Sequence, residues 1–427
     1  MALPKVYVDV GFTATGTSNV FTVGDPTLGQ VGVVPVGDPD IWVDVTPYVR
    51  SWSVKRGATK GDDPTLRYDA GTCTVEFNDG DRRFDPDNLA GPYVIAGVTQ
   101  IEANRRVRIR AVWNGITYPL FYGYADDWVP TYVDNAWTYC TLTATDAFKL
   151  FAAHDRTAIS PVGGSEPAGY RIGRILLDYG WPNLDWSISV GDTTLQATDL
   201  GGNMLAEMQV TQDSEQGSCW MSADGKPYFR NRQSVLTDAP SKTSQATFGD
   251  GGYVATGEIP YTNAVMSTPA DTLVNSIDAT RVGGTVQHVE DSVSVGRYGP
   301  KTHARSDLIM ETDAVAAQWA QWLKYQYATP ARRFARLEFN TPAPHVEAPF
   351  WPVFLARDLG HRITVVRRPP GGGAPISREC FIRGIEMGQP NGAELTTAFI
   401  LQDASRYSFF VVGDPVLGRV GQNAVAY

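Results

Sequence analysis

Residues 106–116 constrain the fold more than any other stretch. Val107, Ile109, Ala111 and Trp113 alternate with Arg106, Arg108 and Arg110, and Asn114-Gly115 follows directly. A period of two puts the apolar set on one face of a strand, because successive side chains point to opposite faces. Asn-Gly tolerates the two positive φ angles of a type I′ turn, so the chain reverses there and returns through residues 116–122 as an antiparallel partner. Residues 72–77 repeat the pattern, with Cys73, Val75 and Phe77 against Thr72, Thr74 and Glu76, and the turn Asn78-Asp79-Gly80-Asp81 follows. Tyr7-Val8-Asp9-Val10 and residues 137–143 read as further strands. A sheet of this kind has to hide its edges, and curling into a barrel does so. Residues 1–147 are therefore expected to form a first β-barrel domain with an N-terminal arm.

The period changes after Asp146. Phe148, Leu150 and Phe151 mark a short helix capped by Thr145 or Asp146. Ile172, Ile175, Leu176 and Tyr179 sit at i, i+3, i+4 and i+7, and Gly180 and Pro182 stop that helix. Met204, Leu205 and Met208 give a third helix over 203–212, and residues 217–230 read as a hairpin around Asp224-Gly225. Residues 148–245 thus read as an α+β module. Residues 262–300 read as extended segments with Gly and Asp turns. Thr312 then caps the strongest helical pattern, which carries Val315, Trp319, Trp322, Leu323 and Tyr327 as far as Pro330 and should pack on a sheet. Residues 246–345 are expected to hold β segments plus this long helix, and residues 346–427 to complete a second barrel and end in a C-terminal arm. The fold class expected is mainly β with α+β insertions: two tube-like antiparallel β-barrel domains plus smaller helix-containing domains. At roughly 150 residues per domain, 427 residues suggest about three.

One segment recurs. Phe21-Thr22-Val23-Gly24-Asp25-Pro26-Thr27-Leu28-Gly29 returns as Phe410-Val411-Val412-Gly413-Asp414-Pro415-Val416-Leu417-Gly418, and Val36-Gly37-Asp38-Pro39 repeats its centre. Phe21, Val23, Leu28, Phe410, Val412 and Leu417 flank a tight Gly-Asp-Pro turn, so these arms either dock on a partner or pack on their own chain. The Arg106, Arg108, Arg110 stripe is conspicuous on a chain of net charge −10. It is either a solvated outer face or an interface with acidic groups, such as those of the next subunit. Nucleic-acid recognition is disfavoured there, because no interleaved aromatic platform accompanies it. The acidic balance also argues against sequence-independent binding to a phosphate backbone.

The sequence carries few chemical motifs. No His-Glu-x-x-His, Cys-x-x-Cys, Gly-x-Ser-x-Gly or Gly-Lys-Ser/Thr motif occurs. Cys73, Cys140, Cys219 and Cys380 read as small buried hydrophobes, and Gly249-Asp250-Gly251-Gly252 as a turn. Asp126-Asp127-Trp128 offers paired acids beside an aromatic, as a sugar site would, but reads as a solvated turn leaving a strand. Asp79, Asp81, Asp85 and Asp87 form a denser cluster without the order of a calcium loop, and read as a hairpin loop. No enzyme activity, cofactor or metal is expected. Residues 1–30 lack a basic segment followed by an apolar one, and no apolar run nears ~20 residues, so neither a secretory leader nor membrane insertion is expected.

The order of segments resembles the tail-hub (baseplate-hub, minor tail) proteins of long-tailed bacteriophages, especially phages of actinobacteria. The likeness rests first on Asp44-Val45-Thr46-Pro47-Tyr48-Val49-Arg50 and the loop from Asn78 to Asn88 with its Arg82-Arg83-Phe84-Asp85-Pro86. Ala144-Thr145-Asp146-Ala147-Phe148, Ser222-Ala223-Asp224-Gly225-Lys226 and Leu273-Val274-Asn275-Ser276 add to it, as does Asp358-Leu359-Gly360-His361-Arg362, where His361 stands at a position the family often gives an acid. The resemblance implies a homotrimer capping the tail tube, each subunit carrying two barrels, so that three copies present six barrels to a six-fold ring. It implies as partners a distal-tail ring or tail-tube protein, the tape-measure protein and tail-tip or fibre proteins, with DNA only in transit through the channel. The expected location is the tail tip of a virion assembled in the host cytoplasm. An acidic channel wall would repel passing phosphate. A distal-tail ring protein, which would carry one barrel rather than two, and a carbohydrate-binding or carbohydrate-active tail protein are the alternatives.

Overall fold

The computed structural model describes residues 3–13, 40–64, 66–133, 137–156, 159–162, 164–182, 184–200, 202–268, 272–341, 346–390, 394–410 and 424–425. Among these, thirteen strands form one large sheet. In chain order they are β1 (Lys5–Thr13), β2 (Asp40–Asp44), β3 (Val49–Gly57), β4 (Asp69–Asn78), β5 (Arg106–Trp113), β6 (Ile116–Tyr132) and β7 (Thr138–Thr145). The others are β8 (Thr247–Gly249), β9 (Asn263–Ser267), β10 (Arg333–Phe339), β11 (Arg362–Arg367), β12 (Ile376–Gln389) and β13 (Thr396–Asp403). The spatial order is β9-β10-β13-β12-β3-β4-β7-β6-β5-β1-β2, with β11 on β12 and β8 on β11. The mainly antiparallel β class with helical insertions is borne out; β8–β11 is a parallel pair.

The two β units expected from the sequence are two halves of this one sheet. No strand pairing among the described residues closes either half on itself. The reason lies in β12. Its residues 376–381 pair with β11 and its residues 384–389 pair with β3, while β13 holds the other edge. The register slips between Ile382 and Gly384, so Arg383 is an extra residue at a bulge, which bends a strand and raises its twist. Opposite the bulge, Gly57 has φ +86°, and a Cβ there would stand 2.4 Å from the Arg383 carbonyl oxygen. Only glycine allows the two halves to meet so closely.

One hydrophobic core spans both halves. Val8, Phe77 and Trp128 belong to it from the first, and Phe339, Ile363 and Phe399 from the second. The helix Glu347–Leu355 fills the space between them. Its Phe354 stacks on Phe399 at 5.5 Å, and its Trp351 meets Trp113 of the first half at 6.2 Å. Residues 346–427 are expected to complete a second barrel and end in an arm, with no helix named; this helix is an addition to that expectation, and it contains Pro349 and Pro352. Pro349 lies in the first turn, where a missing N–H costs nothing, and Pro352 is carried inside by the packing of its aromatic neighbours.

The α+β module has its own core, made by Phe151, Ile172, Ile175, Leu176, Met204 and Phe229. Its longer helices are Phe148–Ala152, Ala168–Tyr179 and Met204–Glu215, followed by the four-residue helices Ser234–Thr237 and Ala239–Lys242. The third runs past the expected Gln212. Its last five residues, Thr211 to Glu215, are polar and buried, since this end of the helix is enclosed by other units. Residues 246–345 do not stay together: β8, β9 and β10 join the large sheet. Between them, strands Ser276–Arg281, Gln287–Glu290 and Thr302–Leu308 form a separate sheet under the helix Asp313–Tyr327, whose Trp319 and Leu323 pack with Ile277. Thr312 caps that helix as expected, accepting the Val315 N–H at 3.3 Å. Ser292–Tyr298, expected as extended, is a short helix capped by Asp291, which accepts the Ser294 N–H at 2.8 Å. Its Val-Ser-Val alternation imitates a strand, and the cap decides against it. No described helix is long and apolar enough to cross a membrane.

Candidate functional site

The arginine stripe lies on β5 as predicted, and the structure supplies what faces it. Asp9 of β1 sits opposite Arg108, and Tyr7 opposite Arg110. The Asp9 carboxylate, only 2% exposed, accepts Nε–H of Arg108 at 2.9 Å and of Arg110 at 2.8 Å. Its hydrogen bond raises the Arg110 pKa above the ordinary guanidinium value. The Arg108 guanidinium lies 4.2 Å from the Trp42 ring centre, and that of Arg110 lies 4.3 Å from the Tyr7 ring centre. Two sequence readings are thereby corrected. The acid that meets Arg108 and Arg110 belongs to this chain, and aromatic rings do interleave with the stripe. They come from neighbouring strands, which a reading of one strand cannot see. Asp9, flanked by Val8 and Val10, was the available signal, since the alternation puts it on the polar face. Arg106 heads the same face one pair further along β5.

Phe21, Val23, Leu28, Val412 and Leu417 lie outside the described residues. Phe410 closes the two-residue strand Phe409–Phe410, which pairs in parallel with Ala424–Val425. Its neighbour Phe409 stacks on Trp322 of the long helix at 3.9 Å. The C-terminal segment is thus rooted on the Asp313–Tyr327 helix.

Five of the six acidic candidates are engaged internally by their side chains. Asp126 and Asp127 lie at a bulge inside β6 rather than in a turn leaving it. Asp126 accepts the Thr145 hydroxyl at 2.6 Å and pairs with Lys149 at 2.8 Å, while Asp127 accepts the Trp128 N–H. In the 79–87 loop, Asp79 accepts the Phe84 N–H at 3.1 Å, Asp81 pairs with Arg83, and Asp85 accepts from Arg82 and the Tyr132 hydroxyl. The loop serves to turn Phe84 inward. That ring is fully buried and stacks on Phe77 at 4.2 Å. Burial pushes the Asp79 carboxyl up to about 6. The four cysteines are buried and free, and burial pushes the Cys140 and Cys219 thiols up to about 12, which leaves them unreactive.

Three further features carry no strong sequence signal. A groove of about 620 Å³ follows the seam between β3, β12 and β13, and its Arg336 pairs with Glu338 and Glu386 at 2.8 and 2.7 Å. Asp213 joins three units: it accepts from Arg67 of the β3–β4 connection, at 3.1 Å from Nε, and from Arg305 at 2.9 Å, while its carbonyl accepts the Trp319 indole N–H at 2.8 Å. Asp62, fully enclosed, pairs with Arg333 and with Arg406 at 2.8 Å.

No family model and no curated protein matches the chain. Solved structures do. The 43 kDa tail protein of prophage MuSo2 from Shewanella oneidensis superposes with a TM-score of 0.56 at 12% identity, over 95% of this chain and 98% of that one. The tail protein from Neisseria meningitidis MC58 gives 0.54 at 9% identity, over 85% and 93%. At such identities the common property is the architecture: this chain has the fold of those tail proteins along nearly its whole length.

Proposed function

We propose that the protein is a structural hub at the tip of a bacteriophage tail. Three copies form a ring in which the two β halves of each subunit occupy two of six places, adapting a six-fold tube to a three-fold tip. The observation that carries this reading is the pairing of two β halves through β3 and β12 in a chain with the fold of tail proteins. A chain with a single β half would favour the distal-tail ring alternative. The hub assignment, and its actinobacterial-phage type, rest on the sequence segments from Asp44 to Arg362 described above.

In this role the protein acts without catalysis. Its partners are further copies of itself, a distal-tail ring or tail-tube protein, the tape-measure protein and tail-tip or fibre proteins, with DNA passing only in transit. The Gly-Asp-Pro segments at 21–32 and 410–421 are the candidate contacts to those partners. Multi-angle light scattering of the purified chain tests the oligomer. The reading expects about three times 46.5 kDa. A protein that stays monomeric both alone and in extracted tail tips contradicts it.

A further inference from the structure

We infer that the cavity between the α+β module and the second β half binds a carboxylate, presented by an acidic side chain of a partner protein. The cavity measures about 470 Å³, and Trp220, Tyr228, His361 and Arg383 are among the residues that line it. Arg383 is the bulge residue of β12 and is 3% exposed. Its guanidinium donates to Gln402 Oε1 at 2.8 Å, to the Tyr68 hydroxyl at 3.0 Å and to the Tyr407 hydroxyl at 3.4 Å, all neutral acceptors. No carboxylate among the described residues pairs with it. A guanidinium has five N–H groups, so these bonds leave donors over, and a buried cation held only by neutral groups is costly.

The other charges around the cavity cancel. Arg230 pairs with Asp238 at 3.0 Å, and Asp358 with Arg56 at 2.8 Å. The charge of Arg383 is therefore the net charge of the site. A second donor points the same way. Trp220 is 7% exposed, and its buried indole N–H has no acceptor among the described residues. Tyr68 links the two: its ring lies 5.5 Å from that of Trp220, and its hydroxyl is the one Arg383 reaches. His361 adds a third donor. Its Nδ1 accepts the Asp358 N–H at 3.2 Å, which leaves the hydrogen of the neutral ring on Nε2.

A site with surplus donors and one surplus positive charge fits a group that only accepts and carries one negative charge, which is a carboxylate. The Trp220 and Tyr228 rings, 5.4 Å apart, offer apolar walls for its stem. The volume suits one side chain with its flanking backbone rather than a polymer. The choice of a protein as the source rests on the structural role proposed above.

The test is titration of the full-length protein with two blocked tetrapeptides, acetyl-Gly-Glu-Val-Gly-amide and its glutamine counterpart, and with glucuronate. The readout is the Trp220 indole N–H resonance, assigned by its loss in Trp220→Phe. The glutamate peptide is expected to shift it saturably and to bind about tenfold more tightly than the glutamine peptide, with the shift lost in Arg383→Gln. If Arg383→Gln does not fold, calorimetric binding to Trp220→Phe, weakened by about tenfold, serves instead. Equal response to both peptides, or no shift up to about 10 mM, overturns the site. Glucuronate binding about tenfold better than the glutamate peptide overturns the protein as its source. The oligomer mass is read independently, so the site and the hub reading fail separately.

Discussion

Asp213 and Asp146 show how single buried acids tie the units of this molecule together. Asp213 holds Arg67 and Arg305, from different units, on one carboxylate. Asp213→Asn removes the charge that the two guanidinium groups share, leaving Arg305 with Asp307 and Arg67 with the neutral Gln209. It should cost about 2–4 kcal/mol, read as a lower denaturant midpoint with an unchanged slope. Asp146 is enclosed where the first β half meets the module, and it accepts the N–H groups of Gly71 at 2.6 Å and Phe148 at 2.9 Å. Burial pushes its carboxyl up to about 7. The raised value means that the folded state holds the proton more tightly than the unfolded one. The stability this lends is complete below about pH 4 and is lost as the pH rises through about 7. Melting curves of wild type and Asp146→Asn across that range should therefore diverge, with the wild type losing on the order of 4 kcal/mol relative to the variant. Parallel curves would show that Asp146 ionises normally. The sequence marks Asp146 as a cap candidate at the start of the Phe148 helix but does not reveal the burial of either acid, because a polar run such as Thr211 to Glu215 reads as exposed until the units that enclose it are known.

At the scale of elements, periodicity and caps were legible and tertiary insertions were not. The alternation in β4 and β5, the Asn114-Gly115 reversal and the Thr312 cap are local, so the residues carry them unaided. The Glu347–Leu355 helix was hidden by its prolines, because what holds it is the aromatic surface of two β halves distant in sequence. The Arg108–Asp9 contact was hidden because its partners are 99 residues apart. Two substitutions test what the elements owe to packing. Phe84→Ala empties the stack against Phe77 and should cost about 3–5 kcal/mol in chemical unfolding. Gly57→Ala forces a side chain into a left-handed backbone and against the Arg383 carbonyl. It should cost at least about 2 kcal/mol and loosen the β3–β12 seam, seen as faster amide exchange at residues 384–389 than in wild type.

Across the whole molecule, the sheet explains why two β halves act as one body. They share strand β12 and one hydrophobic core, so a subunit would present both to its neighbours in a fixed relation. The helical insertions project from the connections and leave the sheet order intact. Removal of residues 411–427 should leave the melting temperature within about 2 °C of wild type while abolishing incorporation into tails, if the arm serves partners rather than its own fold. A drop of the melting temperature by about 10 °C would assign the arm to intrachain packing. The central claim is the count of β halves around the axis, and electron cryomicroscopy of the assembled tail tip measures it most directly. Three copies of this chain, their β halves filling six equivalent places over the tube, are predicted. Six copies in that ring, or a single copy off the axis, would contradict the account.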